Sequence, residues 1–138
     1  MILIDDRENS KLINKIMMRM GDWTLDNKNG KAKIKRLATA DYAIGQTGIE
    51  AKEINDLYRS ILGIGRTRTI AAQLADLSAS FDVPMLVVYG TELKPWIAGH
   101  KGRPSARQIA IERNRMEKTI SSFKASFYHR YPNVRFME

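Results

Sequence analysis

The sequence predicts an α/β domain, a central mixed sheet flanked by helices, and three observations predict it. Strand-like and helix-like segments alternate along the chain, the pattern of a layered α/β fold. The run VPMLVVYG at 83–90 is almost continuously apolar, as in a strand buried on both faces of a parallel or mixed sheet. The 138 residues are 43% hydrophobic and contain no cysteine, which suits one core held without disulfides. No internal repeat, low-complexity tract or linker divides the chain, so a single domain over 1–138 is expected.

The elements follow in order. MILIDD at 1–6 reads as a short buried strand ending in two aspartates. Leu12, Ile13, Ile16, Met17 and Met20 fall at helical spacing, with Asn9 or Ser10 available as a cap. DWTLDN at 22–27 alternates like a strand, and Asn29-Gly30 marks a turn, so a hairpin is expected through KAKIKR. Its lysines either protect a sheet edge or contact phosphates. ADYAIG and GIEAKE read as two strands joined near Gln46-Thr47-Gly48. Ile54, Leu57, Tyr58, Ile61 and Leu62 form an apolar helical stripe, and Ile70, Leu74, Leu77 and Phe81 form another. After the breaker-rich loop 91–104, Ser105 and Gln108 form a capping box that opens a long helix. Ile109, Met116, Ile120, Phe123 and Phe127 are its buried face, and NVRFM is a last strand.

Charge narrows the function. Twenty-three basic residues against 15 acidic ones leave a net +8, which favours a polyanionic partner, most commonly nucleic acid. No apolar run approaches the roughly 18 residues of a membrane span, and the N-terminus lacks a signal-peptide pattern, so an intracellular protein, cytoplasmic or nucleoid-associated, is expected. The absence of cysteine excludes thiolate metal sites and thiol redox chemistry.

The candidate site lies in DYAIGQTGIEAKEIND at 41–56. Residues i and i+2 of a strand share a face, so Glu50 and Lys52 lie side by side while Ile49 and Ala51 point the other way, into the core. Asp41 sits on the preceding strand of the hairpin, where cross-strand neighbours come within ~5 Å. Two carboxylates that close repel unless a cation lies between them, and Mg2+ suits one or two carboxylates plus waters. Such an ion polarises a phosphodiester, with Mn2+ able to substitute for it. Lys52 can then stabilise charge on the phosphate or hold the attacking water. Asp56, on the following helix, is opposite in phase to the apolar stripe and is expected to face the site.

IDDRE at 4–8, ADYAIG at 40–45, IEAKEINDLYRSI at 49–61 and Gly65-Arg66 occur in the order of a known pattern. Together they resemble the nuclease domain of the XPF family of structure-specific endonucleases. That family carries hydrophobic-Asp-x-Arg-Glu, Gly-Asp-Tyr, Glu-Arg-Lys-x-x-x-Asp running into Leu-x-x-Ser-Ile, and a following Gly-Arg. The resemblance covers residues 1–90 well and the remainder weakly. It implies a restriction-endonuclease-like core and Mg2+-dependent cleavage of branched DNA at flaps, forks or junctions, in repair or recombination. Carried over, Asp41 and Glu50 are metal ligands, with the Ala51 carbonyl a further one. Lys52 is the catalytic lysine, and Asp56 completes the motif. Asp5, Arg7 and Glu8 flank the site, and Arg66 is the arginine after the helix. Lys33, Lys35 and Arg36 join Arg7, Glu8 and Arg66 as the expected DNA-contacting set. Two departures stand out: Ala40 replaces the family's glycine, and Ala51 replaces its arginine. Gln73 is the candidate for the family's glutamine. No helix-hairpin-helix pair is present in these residues.

Two functional classes result. One is the endonuclease, acting as a homodimer because a single small domain has a small DNA footprint; a Holliday-junction resolvase using the same core is its close neighbour. The second is a non-catalytic DNA-binding subunit of a nuclease heterodimer. A separate DNA-binding or clamp-like partner is compatible with the enzyme readings.

Overall fold

The computed structural model describes residues 2–8, 10–11, 32–65, 68–95, 97 and 101–138. The expected helix over 10–20, the strand at 22–27, the Asn29-Gly30 turn and Arg66 lie outside the described residues, save Ser10 and Lys11, which are helical.

Among the described residues six strands form one sheet in the order β2-β1-β3-β4-β5-β6. They are β1 (Ile2–Ile4), β2 (Ala32–Ile34), β3 (Tyr42–Ile44), β4 (Thr47–Glu53), β5 (Val83–Tyr89) and β6 (Arg135–Met137). β1 runs parallel to β2 and antiparallel to β3. β3 and β4 form the antiparallel hairpin, and β4, β5 and β6 run parallel. The mixed α/β sheet expected from sequence is therefore present, with KAKIKR contributing an edge strand among the described ones and NVRFM a strand at the other end. β5 is central, but only Pro84, Leu86 and Val88 are fully buried; Val83, Met85 and Val87 on its other face are half-buried.

The hairpin turn is one register step earlier than the sequence suggested. It is a two-residue loop at Gly45-Gln46, with Gly45 at φ +56, where a residue without Cβ is favoured. Gly48 is instead inside β4, and its lack of a side chain has a packing cause. A Cβ there would fall 2.1 Å from the Phe81 ring. The ring occupies the space that a side chain at 48 would need.

Among the described residues three complete helices pack with the sheet: α1 (Ile54–Leu62), α2 (Ile70–Ser80) and α3 (Ala106–Arg130). Glu53 caps α1 by accepting from the Asn55 amide, and Gly63 ends it at φ +65. Thr69 caps α2, and the capping box of Ser105 and Gln108 opens α3 as expected. The main core joins Leu57 of α1 and Ile70, Leu74 and Leu77 of α2 to Leu86 and Val88 of β5. Phe123 and Phe127 of α3 close it, with the Phe127 ring packed at a tilt against Tyr131 and Phe136.

The face assignment of β4 needs correction. Glu50 is register partner of Leu86, so Glu50 and Lys52 lie on the face that the helices cover. Ile49 and Ala51 do point the other way, but into a smaller cluster with Ile2, Ile4 and Tyr42. The charged pair thus stands at the margin of the larger core, where helix α2 can reach it.

Candidate active site

Backbone pairing brings three acidic residues into one row. The Asp5 amide donates to the Asp41 carbonyl at 2.7 Å, and the Asp41 amide donates to the Ile49 carbonyl at 2.9 Å. Asp5 follows β1, Asp41 precedes β3 and Glu50 is in the middle of β4.

Asp41, Glu50 and Lys52 line one cavity of about 280 Å³, together with Arg7 and residues of the α2 side. Asp41 Oδ2 accepts from the Ala51 amide at 2.8 Å. Glu50 is 6% exposed, and its Oε1 accepts from both Lys52 Nζ at 2.9 Å and Gln73 Nε2 at 2.6 Å. One oxygen of each carboxylate, Asp41 Oδ1 and Glu50 Oε2, has no hydrogen-bond partner among the described residues. Burial, and then the nearby Glu50 charge, pushes the Asp41 carboxyl up to about 7.

This donor set fits a small hard cation. Two carboxylates with an oxygen each to offer, strained by mutual repulsion, are what Mg2+ or Mn2+ takes while keeping several waters. The described residues contain no group of three or more His, Cys, Asp or Glu side chains suited to a metal. Gln73 adds a further mark of a polar site: its Oε1 is buried and without a hydrogen-bond partner among the described residues.

The other expected residues separate. Asp5 is 1% exposed and does not line the cavity. Its Oδ1 accepts from the Arg7 amide and Nε, both at 2.8 Å, and its Oδ2 from Arg7 Nη2 at 2.7 Å and the Leu37 amide at 3.0 Å. These bonds, above all the guanidinium's, hold its carboxyl well below the usual carboxylate range. Asp5 is saturated, and its geometric effect is to fix Arg7 at the cavity edge. Arg7 also donates to the Leu37 carbonyl at 2.6 Å. Glu8 accepts from the Tyr42 hydroxyl at 2.7 Å.

Asp56 is not brought to the cavity. It is exposed on α1 and pairs with Arg59 at 3.5 Å, an ordinary i,i+3 contact. Its phase, opposite to the apolar stripe, leaves it in solvent, and it is not among the residues that line the cavity. Lys33 lies in β2 beside Leu3, and Lys35 and Arg36 follow on an exposed stretch, with Arg36 paired to Asp6 at 2.7 Å. Neither Lys35 nor Arg36 lines the cavity. Two charged lining residues lie outside the sequence expectation: Arg68, before α2, and Asp76, one turn after Gln73.

With the fold and cavity established, comparison with known proteins is informative. A family model described as the ERCC4 domain matches residues 4–129. The chain belongs to the ERCC4 domain family. Two solved structures of XPF from Aeropyrum pernix, one of them in complex with DNA, share the fold of this ERCC4 domain. Each superposes with a TM-score of 0.62 at 20% identity over 99% of the chain. The ERCC4 domain spans about half of those proteins, 54% and 51% of their chains. No curated protein matches the sequence. The XPF resemblance read from the ordered motifs is thereby borne out, as is the α/β fold class. No described helix is long and apolar enough to cross a membrane.

Proposed function

We propose that this ERCC4 domain is a metal-dependent DNA endonuclease that hydrolyses phosphodiester bonds at branched DNA. The observation that carries the reading is the convergence of Asp41, Glu50 and Lys52 on one cavity, with a free carboxylate oxygen on each acid. Asp41 and Glu50 would hold Mg2+ or Mn2+, and the ion would supply Lewis acidity toward the phosphate and its nucleophile.

The chain's own groups account for the rest. Lys52 is held beside Glu50, so its ammonium stands within the cavity where charge accumulates on the phosphate. Gln73 orients Glu50 through the carboxylate oxygen that Lys52 also uses. Arg7, locked by Asp5, offers a fixed positive wall toward the entering strand. The net +8 supports binding of the polyanion, and the exposed Lys35 and Arg36 add basic surface outside the cavity. We further propose an intracellular homodimer, since one such domain covers little DNA.

The test is cleavage of labelled flap, fork, four-way-junction and plain duplex DNA with Mg2+ or Mn2+. Wild type is compared with Asp41→Asn, Glu50→Gln and Lys52→Ala, each first shown to bind DNA. Nicking of a branched substrate by wild type alone is expected, and the preferred branch separates a flap or fork nuclease from a junction resolvase. Binding without cleavage by any metal would assign a non-catalytic DNA-binding subunit instead.

A further inference from the structure

Among the described residues three cations line the cavity, and each is already engaged by an anion. Lys52 pairs with Glu50 at 2.9 Å where their side chains are only 13% and 7% exposed. Arg7 grips Asp5 through Nε and Nη2 and also reaches the Leu37 carbonyl. Arg68 touches Asp76 through a single Nη2–Oδ2 contact of 2.6 Å, with the two side chains 57% and 46% exposed. An arriving phosphodiester needs one of these donors to let go of its partner.

The three differ in how readily that happens. Separating Lys52 from Glu50 would leave buried charges uncompensated, which is strongly unfavourable. Freeing Arg7 breaks several bonds at once and strands the buried Asp5 carboxylate. An exposed ion pair contributes little, and both of its members remain hydrated when it opens. Arg68 is therefore the cation that can change partners. Its guanidinium also presents a planar fork matched to two phosphate oxygens, which an ammonium does not.

We propose that Arg68 is the phosphate-gripping residue of the cavity and that Asp76 is its resting partner, displaced when nucleic acid binds. Asp76 is on the same helix as Gln73, so the resting pair stands one turn from the group that orients Glu50. The ligand class is a phosphodiester of a DNA backbone. The inference rests on the reading of this cavity as the phosphodiester site. It adds a built-in competitor: the phosphate must outbid Asp76, so non-specific anions at low concentration leave Arg68 parked.

The experiment measures equilibrium binding of the full chain to a fluorescent fork DNA in EDTA, where cleavage cannot occur, across a series of salt concentrations. Circular dichroism confirms that each variant is folded. Arg68→Gln is expected to weaken binding on the order of tenfold, the size of one charge-assisted contact. It should also lower the salt slope by about 0.9, one phosphate contact. Arg68→Lys should recover only part of the loss. Asp76→Asn should tighten binding several-fold in the wild-type background, and that gain should vanish in the Arg68→Gln background. An equal gain in both backgrounds would reduce Asp76 to a general negative charge and overturn the exchange. Arg68→Gln binding like wild type would overturn it as well, while wild-type cleavage left the nuclease reading standing. No binding of fork DNA by wild type would remove both together.

Discussion

Gln73 Nε2 donates to Glu50 Oε1 at 2.6 Å, across the junction between helix α2 and the sheet, while its own Oε1 is buried without a partner among the described residues. Glu50 accepts from Lys52 on that same oxygen, which leaves Oε2 to point elsewhere. A buried amide placed this way orients the carboxylate rather than merely filling space.

Gln73→Ala is therefore expected to weaken Mn2+ binding by roughly 10- to 100-fold, the usual effect of losing a group that orients a ligand. Titration of the metal, followed by electron paramagnetic resonance of free Mn2+, reads this without relying on cleavage. Gln73→Glu should be worse, because it sets a second carboxylate against Glu50. Unchanged Mn2+ affinity in Gln73→Ala would show that Glu50 holds its position without the helix.

Much of this was readable in advance, and the misses have physical causes. Asp41, Glu50 and Lys52 were legible because strand periodicity and a hairpin fix which side chains meet. Asp56 was misplaced because helical phase says which face is polar but not where the helix axis points. The turn was displaced because Gly45 and Gly48 look alike in sequence; one serves a positive φ and the other a Phe81 ring eighty-first in the chain. Gln73 carried a signal of its own. Positions 70, 73, 74 and 77 form one helical face, and a glutamine among Ile70, Leu74 and Leu77 marks a polar group aimed at the sheet. Arg68 and Asp76 carry no such signal, since charges just before a helix and on its outer face are common.

Metal binding should depend on pH through Asp41. Its carboxyl is pushed up to about 7 by burial and by Glu50, and a cation requires the ionised form. Below pH 7 each ion must displace a proton, so affinity should fall roughly tenfold per pH unit. Without metal the sign for stability is the reverse of the usual carboxylate. The folded state holds its proton above the unfolded value of 3.8, so this group's contribution declines as pH rises toward 7. The gain in melting temperature from a fixed Mn2+ concentration should then be larger at pH 8 than at pH 6. Equal gains would remove Asp41 from the metal cradle.

Asp5 should act on stability. Replacing it by Ala leaves the Leu37 amide and the Arg7 guanidinium without their acceptor, at a cost of about 2–3 kcal/mol. Its folded carboxyl lies below the ordinary range, so its contribution is present above the unfolded value of 3.8 and is lost as pH falls through the folded value. In urea unfolding, the difference between wild type and Asp5→Ala should be constant from pH 6 to 8 and shrink toward pH 3. A difference that persisted undiminished in acid would mean that the ionised carboxylate is not what stabilises the fold.

The hairpin itself can be tested away from the charges. Gly48→Ala places a methyl 2.1 Å from the Phe81 ring, well inside contact distance, so the ring or the strand must move. Overpacking of this kind costs about 1–3 kcal/mol. Gly48 is two residues from Glu50 on the same face of β4, so the displaced strand should also blunt metal binding. A second change, Phe81→Leu, removes the clash and should restore part of the melting temperature lost by Gly48→Ala, although alone it destabilises by opening a gap beside Gly48. Coupling of the two substitutions in a double-mutant cycle is the decisive reading. If their effects simply add, the ring is not what requires glycine at 48, and the strand must be held close by some other contact.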